Sequence, residues 1–211
     1  MVEVPDLLVA APLWVEARAI RRGLPAGSAD ISVVRTGMGR VRSARAVPGL
    51  VARRPAALAV AGVAGALTSD LTPGDVVVAS EVRSTDRAAS PVATTKPEML
   101  AAALRSAGLK VHIGHIVSAD HVVRGRERAE LAATGALVVD MESAWLAEAA
   151  SAVPFAVVRV VVDTPERPLA HPATVVGGWT ALRMLARAGP ALSKWSTWAE
   201  SVHTVPKEVR P

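Results

Sequence analysis

The chain has 211 residues, enough for one α/β domain with a substantial core; 51% are hydrophobic but only 3% aromatic, so Val, Leu and Ala must build that core. There is no cysteine, which excludes disulfides, thiolate metal sites and a cysteine nucleophile. The net charge is +5, but the arginines are diluted among Ala and Val (RAIRR at 18–22, RVRSAR at 40–45) and almost no aromatics are available for base stacking. This argues against nucleic acid and leaves attraction to an anionic membrane surface open.

The first residues, MVEVPDLLVAAPLWVEARAIRR, carry Glu3 and Asp6 where a signal peptide would carry Lys or Arg. No window approaches the ~20 uncharged apolar residues of a membrane span. The expectation is a cytoplasmic protein, peripheral to membranes at most. Short Val-rich runs then alternate with helical patterns, as in stacked βα units around a central sheet. LLVAA (7–11) reads as a strand and VEARAIRRGL (15–24) as a helix. ISVVR (31–35) is a second strand, followed by TGMG (36–39) and an Arg/Ala-rich helix. ALAVAG (57–62) is a third strand, ended by GVAGAL and the turn TPGD (72–75), and DVVVASEV (75–82) a fourth. Residues 83–95 look like a mobile loop. KPEMLAAALRSAG (96–108) has Pro near its start and Gly at its end, as helices prefer. KVHIGHIVSAD (110–120), ALVVD (136–140) and FAVVRVVVD (155–163) are further strands. An amphipathic helix runs from Val175 to Ala188, with a second short one around Trp195 and Trp198. We expect a single domain over residues 1–201, with a central twisted mixed sheet flanked by helices in three α/β/α layers, and a tail over 202–211.

Ligands of open α/β sheets gather beyond the carboxyl ends of the strands. Glu16, TGMG, GVAGAL, and Asp120, Asp140 and Asp163 all fall there. One such acid is unremarkable; several on one rim suggest a pocket that wants acceptors and a proton donor. In VVDMESAWLA (138–147), Asp140 and Glu142 close a strand just before an alanine-rich segment, and helix capping is their plain explanation. Arg159 lies in an otherwise apolar strand, four residues before Asp163 and so on the same face of a regular strand. That arginine is either half of an ion pair with Asp163 or a positioning group beside a general acid. TGMG lacks the spacing of a dinucleotide site, no Walker Lys-Ser/Thr and no Gly-x-Ser-x-Gly elbow occurs, and His112 and His115 would face opposite sides of their strand, which makes a metal site there improbable.

GVAGAL…TPGDVVVASEV, VVDMESAWLA and FAVVRVVVD, in this order and spacing, resemble the nucleoside phosphorylase/nucleosidase superfamily over roughly residues 5–190, closest to its methylthioadenosine/S-adenosylhomocysteine nucleosidase branch. The resemblance implies cleavage of the N-glycosidic bond of an adenine nucleoside without a cofactor or metal. Glu142 would grip the ribose diol with Met141 on the sugar, so that the acids of VVDMESAWLA cap the helix and Glu142 also binds. Asp163 would protonate the purine N7, Glu16 would activate the attacking water, and Arg159 would help to position it. Asp140, Ala64, Gly65 and His121 complete the expected substrate site.

Two positions depart from the nucleosidase pattern: Val63 stands where that branch has a water-contacting serine, and Val122, beside His121, replaces the purine-stacking aromatic. No counterpart of the phosphorylases' phosphate-binding arginine appears near residues 59–63. Hydrolysis is therefore favoured, while Arg18, Arg40 and Arg42 leave phosphate open as a co-substrate. APLWVEARAI, TGMGRVRSA, SADHVVRG and VDMESAWLA look like the hopanoid-associated subgroup, which implies adenosylhopane as substrate. A bulky lipid needs an open, apolar mouth, which Trp179, Trp195 and Trp198 would cover or rest on a membrane, unless they are ordinary core or dimer residues. Ordinary methylthioadenosine/S-adenosylhomocysteine nucleosidase activity, phosphorolysis and a non-catalytic nucleoside-binding role are the alternatives. A homodimer is the assembly that the nucleosidase branch implies.

Overall fold

The computed structural model describes residues 5–86, 88–166 and 173–203. Its strands are β1 (Leu7–Ala11), β2 (Ile31–Arg35), β3 (Ala57–Ala66), β4 (Val76–Ser84), β5 (Val92–Ala93), β6 (Val111–Ser118), β7 (Ala136–Asp140) and β8 (Phe155–Asp163). The helices are α1 (Trp14–Gly23), α2 (Arg40–Val51), α3 (Pro97–Ser106), α4 (Gly125–Ala132), α5 (Ser143–Leu146) and α6 (Ala173–His203). All strands join one mixed sheet in the order β2-β1-β3-β7-β6-β4-β5, and β8 runs parallel to β3 and antiparallel to β4. Strands β3, β7, β6, β4 and β8 thereby form a closed circuit, which gathers their ends around one spot.

The alternation of side chains on β3 and β8 makes two apolar layers. Ala59, Ala61, Val158 and Val160 face α1, α3 and α6 through Ile20, Leu104, Leu185 and Trp195. Leu58, Val60, Val157 and Val161 face the other side, where Leu50 of α2 and Leu146 of α5 cover them. Every residue of β1 is fully buried, as expected of a strand covered on both faces. Helices α1 and α6 touch backbone to backbone: a Cβ at Gly23 would collide with the Ala186 carbonyl, and one at Gly189 would lie 2.7 Å from the Gly23 carbonyl carbon.

Three expectations for the elements change. The third strand does not end at GVAGAL: β3 runs on to Ala66 because Gly62 and Gly65 still pair with β8, opposite Arg159 and Asp163. The two expected C-terminal helices are one, α6, which passes through Pro190. A proline there removes a single hydrogen bond, and both halves are held by packing: Leu185 on one side, Leu192 and the fully buried Trp195 on the other, with Trp195 Nε1 donating to Thr95 O at 2.8 Å. Residues 83–95, expected to be a loop, include the end of β4 and the short β5, which pairs with it. The sequence reading also passed over α4. Helix α6 enters the expected tail as far as His203; residues 204–211 lie outside the described part. No helix among the described residues is long and apolar enough to cross a membrane.

Candidate active site

Each strand that ends on one rim delivers something to a cavity of about 240 Å³. After β1 the chain turns straight into α1, and Glu16 sits in the first turn of that helix. Its carboxylate reaches back to accept from Leu13 N–H at 2.7 Å and forward to accept from Val63 N–H of β3 at 2.9 Å. The residue is 1% exposed. Burial raises its pKa, against the pull of Arg159 and the two amides.

From β7 comes a pair of acids with different duties. Asp140 does the capping: Oδ1 accepts from Ser118 Oγ at 2.5 Å and from the amides of Glu142 and Ser143 at 3.2 and 3.3 Å, and Oδ2 accepts from Ser143 Oγ. Glu142 makes no capping bond with its side chain. It turns to the cavity and accepts from Gly39 N–H at 3.0 Å. The expectation that both acids cap the helix is corrected to Asp140 alone. Asp140 lines the cavity, but both of its oxygens are already bonded within the protein. TGMG, expected on this rim, gives its last amide to Glu142 and brings Met38 to the cavity wall.

Arg159 binds these groups together from below. It is fully buried; Nη2 lies 2.7 Å from Asp140 Oδ2 and 3.4 Å from Glu142 Oε2, Nη2 and Nε donate to Ser143 Oγ at 2.9 and 3.2 Å, and Nη1 donates to Val63 O at 3.4 Å. Burial opposes its charge, yet Asp140, Glu142 and Glu16 more than offset that and raise its pKa. The Glu142 carboxyl is pushed up to about 7 by burial first, which outweighs the pull of Arg159, with Asp140 adding to the rise. Gly62 lies opposite Arg159, and a Cβ there would be 2.5 Å from Arg159 Nη1 and 2.8 Å from Glu16 Oε1. The glycine is the space those two side chains occupy.

Asp163 belongs to a second group. The register of β8 on β3 shifts between Ala64 and Gly65, so Asp163 lies opposite Gly65 and leaves the face of Arg159. The ion pair of Arg159 with Asp163, one of the two readings left open by their shared face on a regular strand, does not form. Asp163 is 3% exposed and pairs instead with Arg128 of α4, Nη2 to Oδ2 at 2.6 Å. Arg128 is the site residue that the sequence reading missed. Its one sequence signal is a shared helix face with Leu131 and Ala132, three and four residues on, which pack against a small core cluster of Val117 and Val139.

The remaining expected residues divide in the same way. Val63, Ala64, Gly65, Met141, His121 and Val122 all line the cavity. His121 stands largely exposed between Asp120 (2.7 Å from Nδ1) and Glu127 (2.9 Å from Nε2), and the first of these raises its pKa most. Val122 is 43% exposed at the mouth. Arg159 is the exception: it lies behind the cavity and does not line it. Arg18, Arg40 and Arg42 lie outside the cavity; Arg18 lines a separate surface groove with Trp14, and Arg40 faces Asp86 at 3.6 Å. Trp179, Trp195 and Trp198 do not line it either, so the expected tryptophan cover is not part of this chain's cavity. No cluster of three or more potential metal ligands occurs among the described residues.

A family profile described as Phosphorylase superfamily matches residues 16–194. The 5′-methylthioadenosine/S-adenosylhomocysteine nucleosidase of Staphylococcus aureus (strain JH9) is 30% identical over 156 residues, which cover 64% of this chain and 68% of that protein. Among solved structures, the nucleosidase of the same name from Helicobacter pylori, with butyl-thio-DADMe-Immucillin-A, has a TM-score of 0.72 at 20% identity, over 92% of this chain and 98% of that one. The Campylobacter jejuni nucleosidase reaches 0.77 at 15% identity, over 92% and 99% of the two chains. Futalosine hydrolase of Helicobacter pylori reaches 0.70 at 21%, over 92% and 97%. At such identities the structures bear on the fold, while the profile and the Staphylococcus aureus relative bear on descent. The chain belongs to the phosphorylase superfamily and is similar to its methylthioadenosine/S-adenosylhomocysteine nucleosidases.

Proposed function

We propose that the protein hydrolyses the N-glycosidic bond of an adenine nucleoside, and that the nucleoside is adenosylhopane, in hopanoid biosynthesis. The observation that carries the reaction is the placing of three buried carboxyl groups, Glu16, Glu142 and Asp163, on one cavity with separate partners. In this reading Glu142 accepts from the ribose 2′- and 3′-hydroxyls with Met141 against the sugar. Asp163 gives a proton to the purine N7 as the C1′–N9 bond breaks, so adenine leaves as a neutral base. Glu16 takes a proton from the water that attacks C1′, and its raised pKa makes it a stronger base than an ordinary carboxylate. Asp140 and Arg159 hold Glu142 and Val63 in place. The products are adenine and a sugar with a free anomeric hydroxyl.

Water is favoured over phosphate on electrostatic grounds. An anion beside Glu16 and Glu142 would face two carboxyl groups, while Arg159 is spent on Asp140, Glu142 and Ser143. The lipid-linked substrate is supported by the motifs APLWVEARAI, TGMGRVRSA and SADHVVRG and by the apolar mouth that Met38 and Val122 give the cavity. The homodimer, the cytoplasmic location and peripheral membrane contact belong to the same reading. The Staphylococcus aureus relative favours a second one, in which methylthioadenosine and S-adenosylhomocysteine are the substrates.

The test is adenine release, followed by chromatography, from adenosylhopane, methylthioadenosine and S-adenosylhomocysteine, each with and without phosphate. Release from adenosylhopane alone and without phosphate is expected. Preference for the small thioethers would move the protein to the second reading, and dependence on phosphate would make it a phosphorylase. No release from any of them would leave a nucleoside-binding protein without catalysis.

A further inference from the structure

An open groove of about 500 Å³ lies beside the cavity and takes no part in the proposed reaction. Trp14, Ala17, Arg18, Arg21 and Arg22 of α1 line it, together with Arg35 at the end of β2. Trp14, Arg18, Arg21 and Arg22 stand at i, i+4, i+7 and i+8, so they share one face of the helix, while Ile20 faces the core. All four arginines are exposed, and among the described residues none of them forms an ion pair. The acids of the same elements do not answer this charge: Glu16 is turned into the cavity, and Asp30 precedes the far end of β2. Trp14 is 61% exposed, which leaves a large ring in water among four unpaired cations.

The groove is joined to the cavity mouth. Pro12 and Leu13, just before Trp14, line the cavity, and the amides of Thr36 and Gly37, just after Arg35, donate to Ala11 O and Pro12 O at 3.0 and 3.1 Å. The same loop carries Met38, which with Val122 gives the mouth an apolar edge, 48% and 43% exposed. A second copy of the chain does not satisfy the groove, because a two-fold contact of groove with groove would set eight guanidiniums against one another. An anionic bilayer does: its headgroups neutralise guanidiniums spread over two helical turns, and its interface takes up a tryptophan ring. We propose that this face of α1 docks the protein on an anionic membrane, with Trp14 at the interface, and so holds the cavity mouth beside the bilayer. This deepens the lipid-linked reading above. Docking needs no nucleoside, so the face and the choice of substrate fail separately.

The probes are vesicles of phosphatidylcholine alone and of phosphatidylcholine mixed with phosphatidylglycerol, read by co-sedimentation and by tryptophan fluorescence. The wild type is expected to bind the mixed vesicles only, with a blue shift of its emission, and to be released at ~1 M salt, where screening shortens to about 3 Å. R18Q/R22Q is expected to weaken binding by about 10–30-fold, at the usual worth of an arginine near an anionic surface. R53Q/R54Q, which removes two exposed charges before β3 at the other end of the sheet, should bind nearly as the wild type does. W14A should lose the blue shift, and melting temperatures establish that each variant is folded. Equal binding to both kinds of vesicle, or an equal loss in the two double variants, would overturn the inference. So would a blue shift kept in W14A, which would move the contact to another face, such as that of Trp179, 72% exposed. Titration by soluble glycerol phosphate without vesicle binding would make the groove a site for a free anion. Dissociation of an oligomer in R18Q/R22Q, again without vesicle binding, would make it an interface between copies; either result removes the proposal. If methylthioadenosine proves to be the substrate and the mixed vesicles still bind through Trp14 and these arginines, the docking face stands and the lipid-linked reading falls.

Discussion

Replacing Glu142 by Gln should make the protein more stable and a worse binder of nucleosides at the same time. The Glu142 carboxyl is 4% exposed and pushed from its ordinary 4.5 up to about 7. A carboxyl whose pKa is raised by folding has no effect on stability below pH 4.5, where both states hold the proton. Between 4.5 and 7 the unfolded chain releases a proton that the folded chain keeps, and stability falls as pH rises. At ~1.36 kcal/mol per pH unit the displacement amounts to about 3 kcal/mol above pH 7, part of it shared with the neighbouring Glu16 and Asp140. Glutamine keeps an acceptor for Gly39 N–H and carries no charge. E142Q is therefore expected to gain about 1–3 kcal/mol over the wild type at pH 8 and almost nothing at pH 4.5, which at this chain length is about 2–4 °C in melting temperature per kcal/mol. Thermal unfolding of both proteins between pH 4.5 and 8.5 measures the difference, and titration with a nucleoside measures the loss of affinity. A variant less stable than the wild type at pH 8 would show that the 3.4 Å contact of Arg159 with Glu142 outweighs the burial of the acid, and the reasoning would be wrong.

Other variants bear on other links. D163N is expected to lower adenine release by at least ~10²-fold with the fold intact, because an amide cannot supply the proton; retention of more than about a tenth of the activity would remove Asp163 from the role of acid. E16Q should lower kcat far more than it raises KM, since the water-activating group acts on the transition state; an effect on KM alone would reassign Glu16 to binding. G62A should destabilise the protein by roughly 1–3 kcal/mol, because its Cβ enters the space of Arg159 and Glu16; an unchanged melting temperature would show that the two side chains can step aside. W195F should cost about 1 kcal/mol or more through the lost bond to Thr95 O, with adenine release unchanged, because Trp195 lies away from the cavity.

Much of the site could be read from local sequence because the chemistry sits where strands end. Glu16, Asp140, Glu142 and Asp163 each follow an apolar run, and in an α/β sheet such positions share one rim whatever the details of packing. Glu142 and Asp163 are marked in this way by the sequence alone. Arg128 is not, because α4 is short, strongly charged and carried only by a small apolar cluster, so its periodicity is faint.

The order of strands and helices, the covered strands and the carboxyl-rich rim were set by the sequence itself, through apolar runs of the right length and glycines and prolines between them. Which acid meets which cation was decided only in three dimensions. A one-residue shift between β3 and β8 turns Asp163 away from Arg159, whose guanidinium closes on Asp140, Glu142 and Ser143 instead. Asp163 is then completed by an arginine 35 residues earlier in the chain. Strand periodicity carries no record of a bulge, and an ion pair between distant elements depends on where packing brings them. For that reason the acids of the site were legible in the sequence and their partners were not.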